Sequence, residues 1–309
     1  MVQQINNQKR TLYSVCIATY KRQELLKQLI ESLFNQNLPP EEEIEIIVVD
    51  NDPEKTAEKI VRSFAEKNIF EIRYYLQEIK NISLTRNMAV ANASGEYILF
   101  IDDDEIADEN WICSLIAAQK KYNADGVFGT VLSRFDQGVP ESIRTSEIFN
   151  RPSPPTGSEA MFMRSGNCLI KSSLLKNTPG PFAEEYGLTG GSDTHLFGQL
   201  KKQGARFITS AEAKVSEYIP PERANLKYLF LRSLRTGNNY TRRLIEFTEN
   251  GRLIKRIMYT LKAVVFELVS LVMFIMTAPI QKLRMHWYIK IASNLGHILG
   301  AWGIYFNVY

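Results

Sequence analysis

The sequence predicts an α/β protein built on a mostly parallel sheet with helices on both faces. Short apolar runs alternate with segments in which apolar residues recur at helical spacing. These runs are continuous, which is typical of strands buried on both faces of a parallel sheet. Two of the predicted strands run directly into acids, Asp50 and Asp102. Since ligands bind at the carboxyl ends of such strands, we expect a site at this edge.

The elements of the first half follow one another regularly. The apolar patterns predict strands at 12–18, 44–49, 71–76, 97–101 and 126–132, and helices at 22–35, 55–67, 82–93 and 109–121. Asn81 or Ser83 is a suitable N-cap for the third of these helices. Strands that alternate with helices in this way form βαβ units, which supports the parallel sheet.

The second half of the chain lacks this regular alternation of strand and helix patterns. Residues 137–165 hold three prolines and a glycine between 152 and 157, which predicts a long irregular loop, functional or disordered. A strand at 166–171, a glycine-rich turn at 187–192, a helix at 193–203 and a basic helix at 223–243 follow. We divide the chain into an α/β domain, 1–222, with halves of about 10–132 and 133–222, and a helical region, 223–309.

Composition excludes several classes of protein. The 309 residues carry a net charge of +3, which argues against nucleic acid as a partner. Three scattered cysteines, Cys16, Cys113 and Cys168, predict neither a zinc site nor a disulfide framework, and favour a reducing compartment. Met1–Arg10 is polar, so we expect no secretory signal.

The helical region contains an apolar run, Ala263–Ile280, that a single acid, Glu267, interrupts. Basic residues flank the run, and aromatic residues follow it: Lys255, Arg256, Lys262, Lys282, Arg284, Trp287, Tyr288, Trp302, Tyr305, Phe306 and Tyr309. Such flanks suit a lipid headgroup interface, although the run is marginal in length for a spanning helix. The alternative is a buried helical hairpin that packs on the main domain or on a sister subunit.

Three consecutive carboxylates, Asp102-Asp103-Asp104, follow the fourth predicted strand. They repel one another, and a divalent cation would offset this repulsion. Strand geometry places Asp102 and Asp104 on one side, with Asp103 pointing away. The alternative is a solvated acidic turn that caps the next helix.

Four segments in this order resemble the nucleotide-sugar-binding half of the inverting family 2 glycosyltransferases, which have the GT-A fold. They are VCIATYKR (15–22), IIVVDND (46–52), SLTRNMA (83–89) and YILFIDDD (97–104). GLTGGSDTHLF (187–197) resembles the acceptor-side acidic motif of the family. More loosely, YIPPER (218–223) and RSLRTGN (232–238) resemble the subgroup that builds bacterial exopolysaccharides such as succinoglycan.

The resemblance implies roles for the nucleotide-binding residues. Thr19 and Tyr20 would line the nucleoside pocket, where the aromatic ring can stack on a base. Arg22 would approach the phosphates, or else face water at a helix start. Asp50 would accept a hydrogen bond from the uracil N–H, which suggests a UDP-sugar, or else be a turn aspartate. Arg86 would lie near the nucleotide or diphosphate, or else on a helix surface.

The resemblance also implies a metal, Mn²⁺ or Mg²⁺, that neutralises charge on the leaving diphosphate. Asp104 would be its direct ligand and Asp102 would lie near the ribose and the metal. Asp103 is grouped with the nucleotide-sugar-binding residues. Many relatives complete the site with a histidine, whereas this chain offers Glu217. Either Glu217 is a further ligand, or Asp104, water and the diphosphate hold the metal.

Asp193 is the candidate general base, because an inverting transfer needs a carboxylate to take the proton of the acceptor hydroxyl. His195 is the competing base, and a purely structural aspartate in a first helical turn is the plain alternative. Arg232 and Arg235 share one helix face. They would hold the donor diphosphate or the phosphate of a lipid-linked acceptor, or else form a solvated basic face.

The predicted function is therefore metal-dependent transfer of a hexose from a UDP-sugar to a saccharide or lipid-linked acceptor. We expect it at the cytoplasmic face of the cell membrane, with an oligomer possible. No QxxRW sequence follows the acceptor motif, which favours single addition over polymerisation. A sugar nucleotidyltransferase would need a glycine-rich loop where this chain has ATYKR (18–22). The remaining alternative is a membrane-associated scaffold that binds a nucleotide without catalysis.

Overall fold

The computed structural model describes residues 10–248 and 250–306, so the statements on Met1–Arg10, apart from Arg10 itself, and on Tyr309 lie outside the described residues. An eight-stranded sheet in the order β3-β2-β1-β4-β7-β6-β8-β5 forms its centre. The elements are β1 (Thr11–Thr19), α1 (Gln23–Phe34), β2 (Glu42–Asp50), α2 (Glu58–Ala65), β3 (Glu71–Leu76), α3 (Ile82–Asn92), β4 (Tyr97–Ile101), β5 (Glu105–Ala107), α4 (Trp111–Tyr122), β6 (Gly126–Phe135), α5 (Glu141–Arg144), β7 (Asn167–Lys171), α6 (Ser172–Lys176), α7 (Ser192–Lys202), β8 (Phe207–Ile219), α8 (Leu226–Glu246), α9 (Arg252–Met276) and α10 (Gln281–Ala301).

The predicted fold class is confirmed. Strands β3, β2, β1 and β4 are parallel, β6 and β8 are parallel, and the reversed strands are β7 and β5. Strands β1, β2 and β4 are almost wholly buried because helices cover both faces. In this register Thr19 lies opposite Asp50, which brings the carboxyl ends of the first strands to one edge.

Two strands were not predicted from the sequence. Strand β8 mixes Thr, Ser, Glu and Lys with apolar residues and joins β6 through an irregular register, so it lacks a continuous apolar run. Strand β5 is three residues long. Of the two predicted N-cap residues of α3, Asn81 and Ser83, the cap is Asn81. Its side chain accepts hydrogen bonds from the backbone N–H groups of Ser83 and Leu84. The loop 137–165 is irregular apart from α5 and a bridge at Glu159.

The three C-terminal helices differ in burial. Helix α10 packs between α8 and α9, and an apolar cluster of Ile143, Phe149, Leu229 and Ile289 joins α8 and α10 to the loop 137–165. Helix α9 buries just Ala263 and Ser270 of its described residues. Along the described ranges, α9 is the one helix long and apolar enough to cross a membrane by length and composition, and 11% of its most apolar window is buried.

Candidate active site

Asp103 joins the ends of two neighbouring strands. Its buried carboxylate accepts a hydrogen bond from Thr19 Oγ1 at 2.9 Å and from Arg22 Nη1 at 2.7 Å. The same Arg22 nitrogen lies 2.8 Å from Asp104 Oδ2. Burial raises the pKa of Asp103 to about 6, although Arg22 opposes the rise. The Asp103 side chain thus turns into the protein and positions Thr19 and Arg22.

Asp104 and Glu217 belong to a second ion-pair group. Arg223 Nη1 lies 3.1 Å from Asp104 Oδ2 and 3.9 Å from Glu217 Oε1. Arg151 Nη2 donates to Glu217 Oε2 at 2.7 Å. The sequence suggested that a cation would offset the repulsion within the acidic run. In the structure arginines at the N-cap of α1, in α3 and in the turn between β8 and α8 already do so, because guanidinium groups pair closely with carboxylates.

Asp102 is the accessible member of the acidic run, with 44% of its side chain exposed. Arg86 Nη2 lies 3.2 Å from Asp102 Oδ1. Burial raises the pKa of Asp102, Arg86 lowers it, and the charges of Asp104, Glu217 and Asp193 raise it further. Carboxylates that follow β4, lie in β8 and begin α7 are therefore near enough for their charges to interact.

A small cleft beside Asp102 is lined by Arg86, Ile101 and Ser165, and Gly166 follows Ser165 in the chain. A Cβ at Gly166 would lie 2.8 Å from Asp102 Oδ2, so the glycine allows the backbone to approach that carboxylate closely. Ser165 lines the cleft with Arg86 and Asp102. Among the described residues its buried hydroxyl has no hydrogen-bond partner, and a polar ligand would satisfy it.

These residues fit a hard divalent cation, which prefers oxygen ligands. Asp102 offers an exposed carboxylate near other carboxylates whose charges act on it. No group of three or more potential metal ligands is gathered within the described ranges. Of the predicted set Asp104, Asp102 and Glu217, Asp104 is paired with Arg22 and Arg223, and Glu217 is paired with Arg151. One or two carboxylates plus substrate phosphates is the common arrangement for Mg²⁺.

Asp193 lies in the first turn of α7, after two glycines with positive φ, Gly190 at 78° and Gly191 at 97°. Its Oδ1 accepts the Thr194 backbone N–H at 2.7 Å. Glycine adopts positive φ without steric cost, so the two glycines allow the tight turn that begins α7. The charge of Asp193 also acts on Asp102. Asp193 is thus joined in space to residues almost a hundred positions earlier in the chain.

The competing base, His195, is packed among aromatic rings. Its ring centroid lies 4.9 Å from that of Tyr186 and 5.2 Å from that of Phe247. Burial lowers the pKa of His195, and 12% of its side chain is exposed. Nδ1 has no hydrogen-bond partner among the described residues, with Glu246 at 3.8 Å. This environment suits a neutral packing residue better than a base that meets substrate.

Tyr20 and Asp50, which were predicted to contact the nucleoside, differ in exposure. The Tyr20 ring is half-buried, with Lys80 Nζ 4.7 Å and Lys21 Nζ 5.8 Å from its centroid, so cations flank the ring that would stack on a base. Asp50 is fully buried. It accepts hydrogen bonds from the backbone N–H groups of Asp52 and Ala57 and from the Tyr74 hydroxyl. The uracil ring of a bound nucleotide could contact Asp50 directly only if the turn after β2 moves.

Two residues of the site were not singled out from the sequence. Arg151, which pairs with Glu217, and Ser165, which lines the cleft, belong to the irregular loop or its end, where no periodicity marks a side chain's direction. Arg223 was noted as part of a basic helix, yet it precedes α8 and pairs with Asp104. The YIPPER segment was the one feature of the sequence that pointed to a role for Arg223.

Comparison with solved structures places this architecture among the GT-A glycosyltransferases. A mannosyltransferase of Pyrobaculum calidifontis, solved with GDP-Man and Mn²⁺, matches with a TM-score of 0.67 and 14% identity, over 95% of this chain and 88% of that one. Staphylococcus aureus TarS 1–349 in complex with UDP matches with a TM-score of 0.53 and 18% identity, over 90% of both chains.

Residues 14–177 match the pattern of Glycosyl transferase family 2, and the chain belongs to that family. The succinoglycan biosynthesis protein ExoM of Rhizobium meliloti is 30% identical over 230 residues, which is 74% of each chain. The matched residues include β1 to β4 and the acidic run. The resemblance first seen in four short motifs is therefore confirmed.

Proposed function

We propose that this chain is an inverting hexosyltransferase that moves a hexose from a UDP-sugar to a lipid-linked saccharide acceptor. The reaction would serve cell-surface polysaccharide synthesis. The observation that carries the proposal is Asp102, which follows β4 in a family 2 glycosyltransferase with 44% of its side chain exposed and Arg86 3.2 Å away. TarS crystallises with UDP, which supports a UDP-sugar as donor. The name of ExoM supports a role in polysaccharide synthesis.

In the proposed reaction Asp193 accepts the proton of the acceptor hydroxyl. That oxygen attacks the anomeric carbon from the face opposite the diphosphate, the new glycosidic bond forms, and the bond from the anomeric carbon to the UDP oxygen breaks. The Thr194 backbone N–H donates to Asp193 Oδ1 at the start of α7, which would orient the carboxylate for this step. UDP leaves with the electron pair of the broken bond, and the configuration at the anomeric carbon inverts.

Asp104 and Asp102 would hold the divalent cation, Mn²⁺ or Mg²⁺, together with the donor diphosphate. When bound, the cation would neutralise negative charge on the leaving group. Asp103 and Arg22 would keep the acidic run in place, and Arg86 would orient Asp102. The Mn²⁺ in the mannosyltransferase complex supports a cation at such a site. Excess chelator should abolish turnover, and Mn²⁺ or Mg²⁺ should restore it; full activity in chelator contradicts the metal role.

Substitution of the base separates catalysis from binding. Asp193→Asn should lower transfer by roughly 10²–10⁴-fold, the usual contribution of a general base, with UDP affinity unchanged. His195→Gln serves as the matched control from the same helix turn and should retain transfer. Turnover near the wild-type rate in Asp193→Asn would exclude Asp193 as the base. A panel of UDP-sugars, each tested with metal, identifies the donor.

We also propose that α9, with the adjoining part of α10, attaches the α/β domain, 1–222, to the cytoplasmic face of the membrane. The apolar side chains of α9 are exposed around the helix, for example Leu261 at 61% and Ile275 at 73%. Its 25 residues extend about 37 Å. Val265→Lys with Val272→Lys should move the protein from the membrane to the soluble fraction, whereas Lys120→Gln should not. Unchanged fractionation of the double variant contradicts the attachment.

A further inference from the structure

Helix α8 contacts the glycine-rich turn that precedes the candidate base. Three of its residues share one face at helical spacing: Asn239, Arg242 and Arg243. A Cβ at Gly191 would lie 3.1 Å from Asn239 Nδ2, so the side chain of Asn239 packs directly against the turn. Arg243 Nη1 donates to the Thr194 carbonyl at 3.3 Å. Helix α8 thus contacts the chain both before and after Asp193.

Arg242 is the buried member of this face, with 6% of its side chain exposed. Its Nη1 donates at 3.0 Å to Thr189 Oγ1, and its Nε donates at 2.9 Å to Glu246 Oε1. The Tyr186 hydroxyl donates to the other oxygen of the same glutamate. Because the donors of a guanidinium group have a fixed geometry, Arg242 connects α8 to the turn in one defined arrangement.

Two aromatic rings also pack against the Arg242 guanidinium group. Its Cζ lies 3.8 Å from the centroid of the Tyr186 ring and 4.3 Å from that of Tyr305. Tyr305 follows Ile304, whose carbonyl accepts a hydrogen bond from Asn238 Nδ2 of α8 at 2.8 Å. Cations bind favourably to the faces of aromatic rings. The rings and the hydrogen bonds together therefore hold the Arg242 side chain in place.

The turn needs an external restraint because of its two glycines. Gly190 and Gly191 have φ of 78° and 97°, and glycine populates both signs of φ, so these residues restrict the backbone less than others would. Thr189 immediately precedes the glycines and Asp193 follows them closely. A misplacement of 1 Å can cost about a hundredfold in rate. The hydrogen bond at Thr189 fixes the chain just before its most adaptable part.

We propose that Arg242 is a positioning residue for Asp193, and that it acts through its hydrogen bond to Thr189. This inference rests on the proposed glycosyltransferase function, in which Asp193 is the general base. The contacts of Arg242 lie on the turn, on α8 and on the segment after α10, and not at Asp102. Loss of the restraint should therefore lower the rate of transfer and leave the binding of UDP unchanged.

The substitution that tests this role is made at Thr189. Removal of Arg242 itself would leave Glu246 without its charged partner and would destabilise the fold whether or not the turn matters for catalysis. Thr189→Val removes the hydroxyl that accepts the hydrogen bond and retains the pair of Arg242 with Glu246. Thr189→Ser retains the hydroxyl and is the conservative variant.

Transfer is measured on the full chain in detergent, as release of UDP from the UDP-sugar that the donor panel selects. Thr189→Val should lower kcat by roughly ten- to a hundredfold with UDP affinity unchanged. Thr189→Ser should recover most of that loss. Thr248→Val is the matched control and should retain the wild-type kcat, because Thr248 is also buried and its hydroxyl bonds to the Leu244 carbonyl one turn earlier.

A double variant shows whether the effect passes through the base. In the Asp193→Asn background, Thr189→Val should lower the residual turnover by less than about twofold, because substitutions that act on the same group are not additive. Hydrogen exchange gives a readout that does not depend on turnover. The amides of residues 190–195 should exchange faster in Thr189→Val than in the wild-type protein, and at the wild-type rate in Thr248→Val.

Two results would overturn the positioning role. The first is a wild-type kcat in Thr189→Val. The second is a loss in the double variant as large as in Thr189→Val alone, since the effect would then bypass Asp193. Failure of the underlying function looks different. In that case the wild-type protein turns over no UDP-sugar, or Asp193→Asn transfers at the wild-type rate, and the positioning role is lost with it even if the exchange measurement shows a restrained turn.

Discussion

Gly296 lies where helices α8 and α10 come closest. A Cβ built at Gly296 would lie 2.8 Å from the Leu234 carbonyl carbon and 2.9 Å from the Asn238 backbone nitrogen, and closer still to the Leu234 oxygen. Gly237 and Gly300 make the same kind of approach in the same pair of helices. Since these neighbours are backbone atoms, no side-chain rotation can make room. Gly296→Ala must push the helices apart.

The expected cost follows from these distances. Carbon atoms in contact prefer about 3.5–4.0 Å, so the helices must separate by at least about 0.7 Å, which forfeits a quarter to a half of the attraction per contact. Overpacking of this kind costs about 1–3 kcal/mol. Helix propensity alone predicts the opposite sign, since alanine is about 1 kcal/mol better than glycine inside a helix. Because the Leu234 oxygen is closer than the two atoms compared above, we take the upper part of that cost, about 2–3 kcal/mol, and expect a net loss of about 1–2 kcal/mol.

Thermal unfolding in detergent measures this loss. A decrease of about 2–8 °C in Tm is expected for Gly296→Ala, by the usual relation for a chain of this size. Gly198→Ala, in α7, is the matched control, because its Cβ would meet the Phe247 ring at 3.3 Å and otherwise ordinary contacts. That variant should be neutral or slightly more stable. A Tm for Gly296→Ala at or above the wild-type value refutes the close packing of α8 and α10.

Three further predictions concern the cleft and its supports. Gly166→Ala should displace Asp102, because the new Cβ would lie 2.8 Å from Asp102 Oδ2. The variant should lower kcat/KM by roughly tenfold with little change in Tm. An unchanged kcat/KM would contradict the close approach of Gly166 to Asp102. The folded-state pKa of His195 is lowered, so the unfolded chain binds the proton more tightly and stability falls as pH drops below about 6.5. His195→Phe should remove that part of the decline, seen as a flatter plot of Tm against pH, while a parallel plot would argue against it. Asn81→Ala should cost about 1 kcal/mol in denaturant unfolding through loss of the α3 cap, and no loss would show that the cap is dispensable.

The sheet was predictable because its central strands are buried on both faces. Burial of this kind demands continuous apolar runs, and β1, β2 and β4 display them within a few residues of their observed bounds. Strand β8 was not predictable, since its polar residues face partly outward and it pairs with β6 through an irregular register. The long apolar helix was recognised in part, because its basic first third, from Arg252, hid its true start.

The chain's own order of residues determined the family, the acidic run and the candidate base. These features are local: a buried strand that ends in carboxylates, or an aspartate after two glycines, can be recognised within a few consecutive residues. The tertiary structure alone decided what surrounds them. Arg22, Arg86 and Arg223 neutralise the acidic run, and Glu217 pairs with Arg151. Such pairings join residues far apart in the chain. Charge interactions depend on distance and burial in space, which the order of residues does not display.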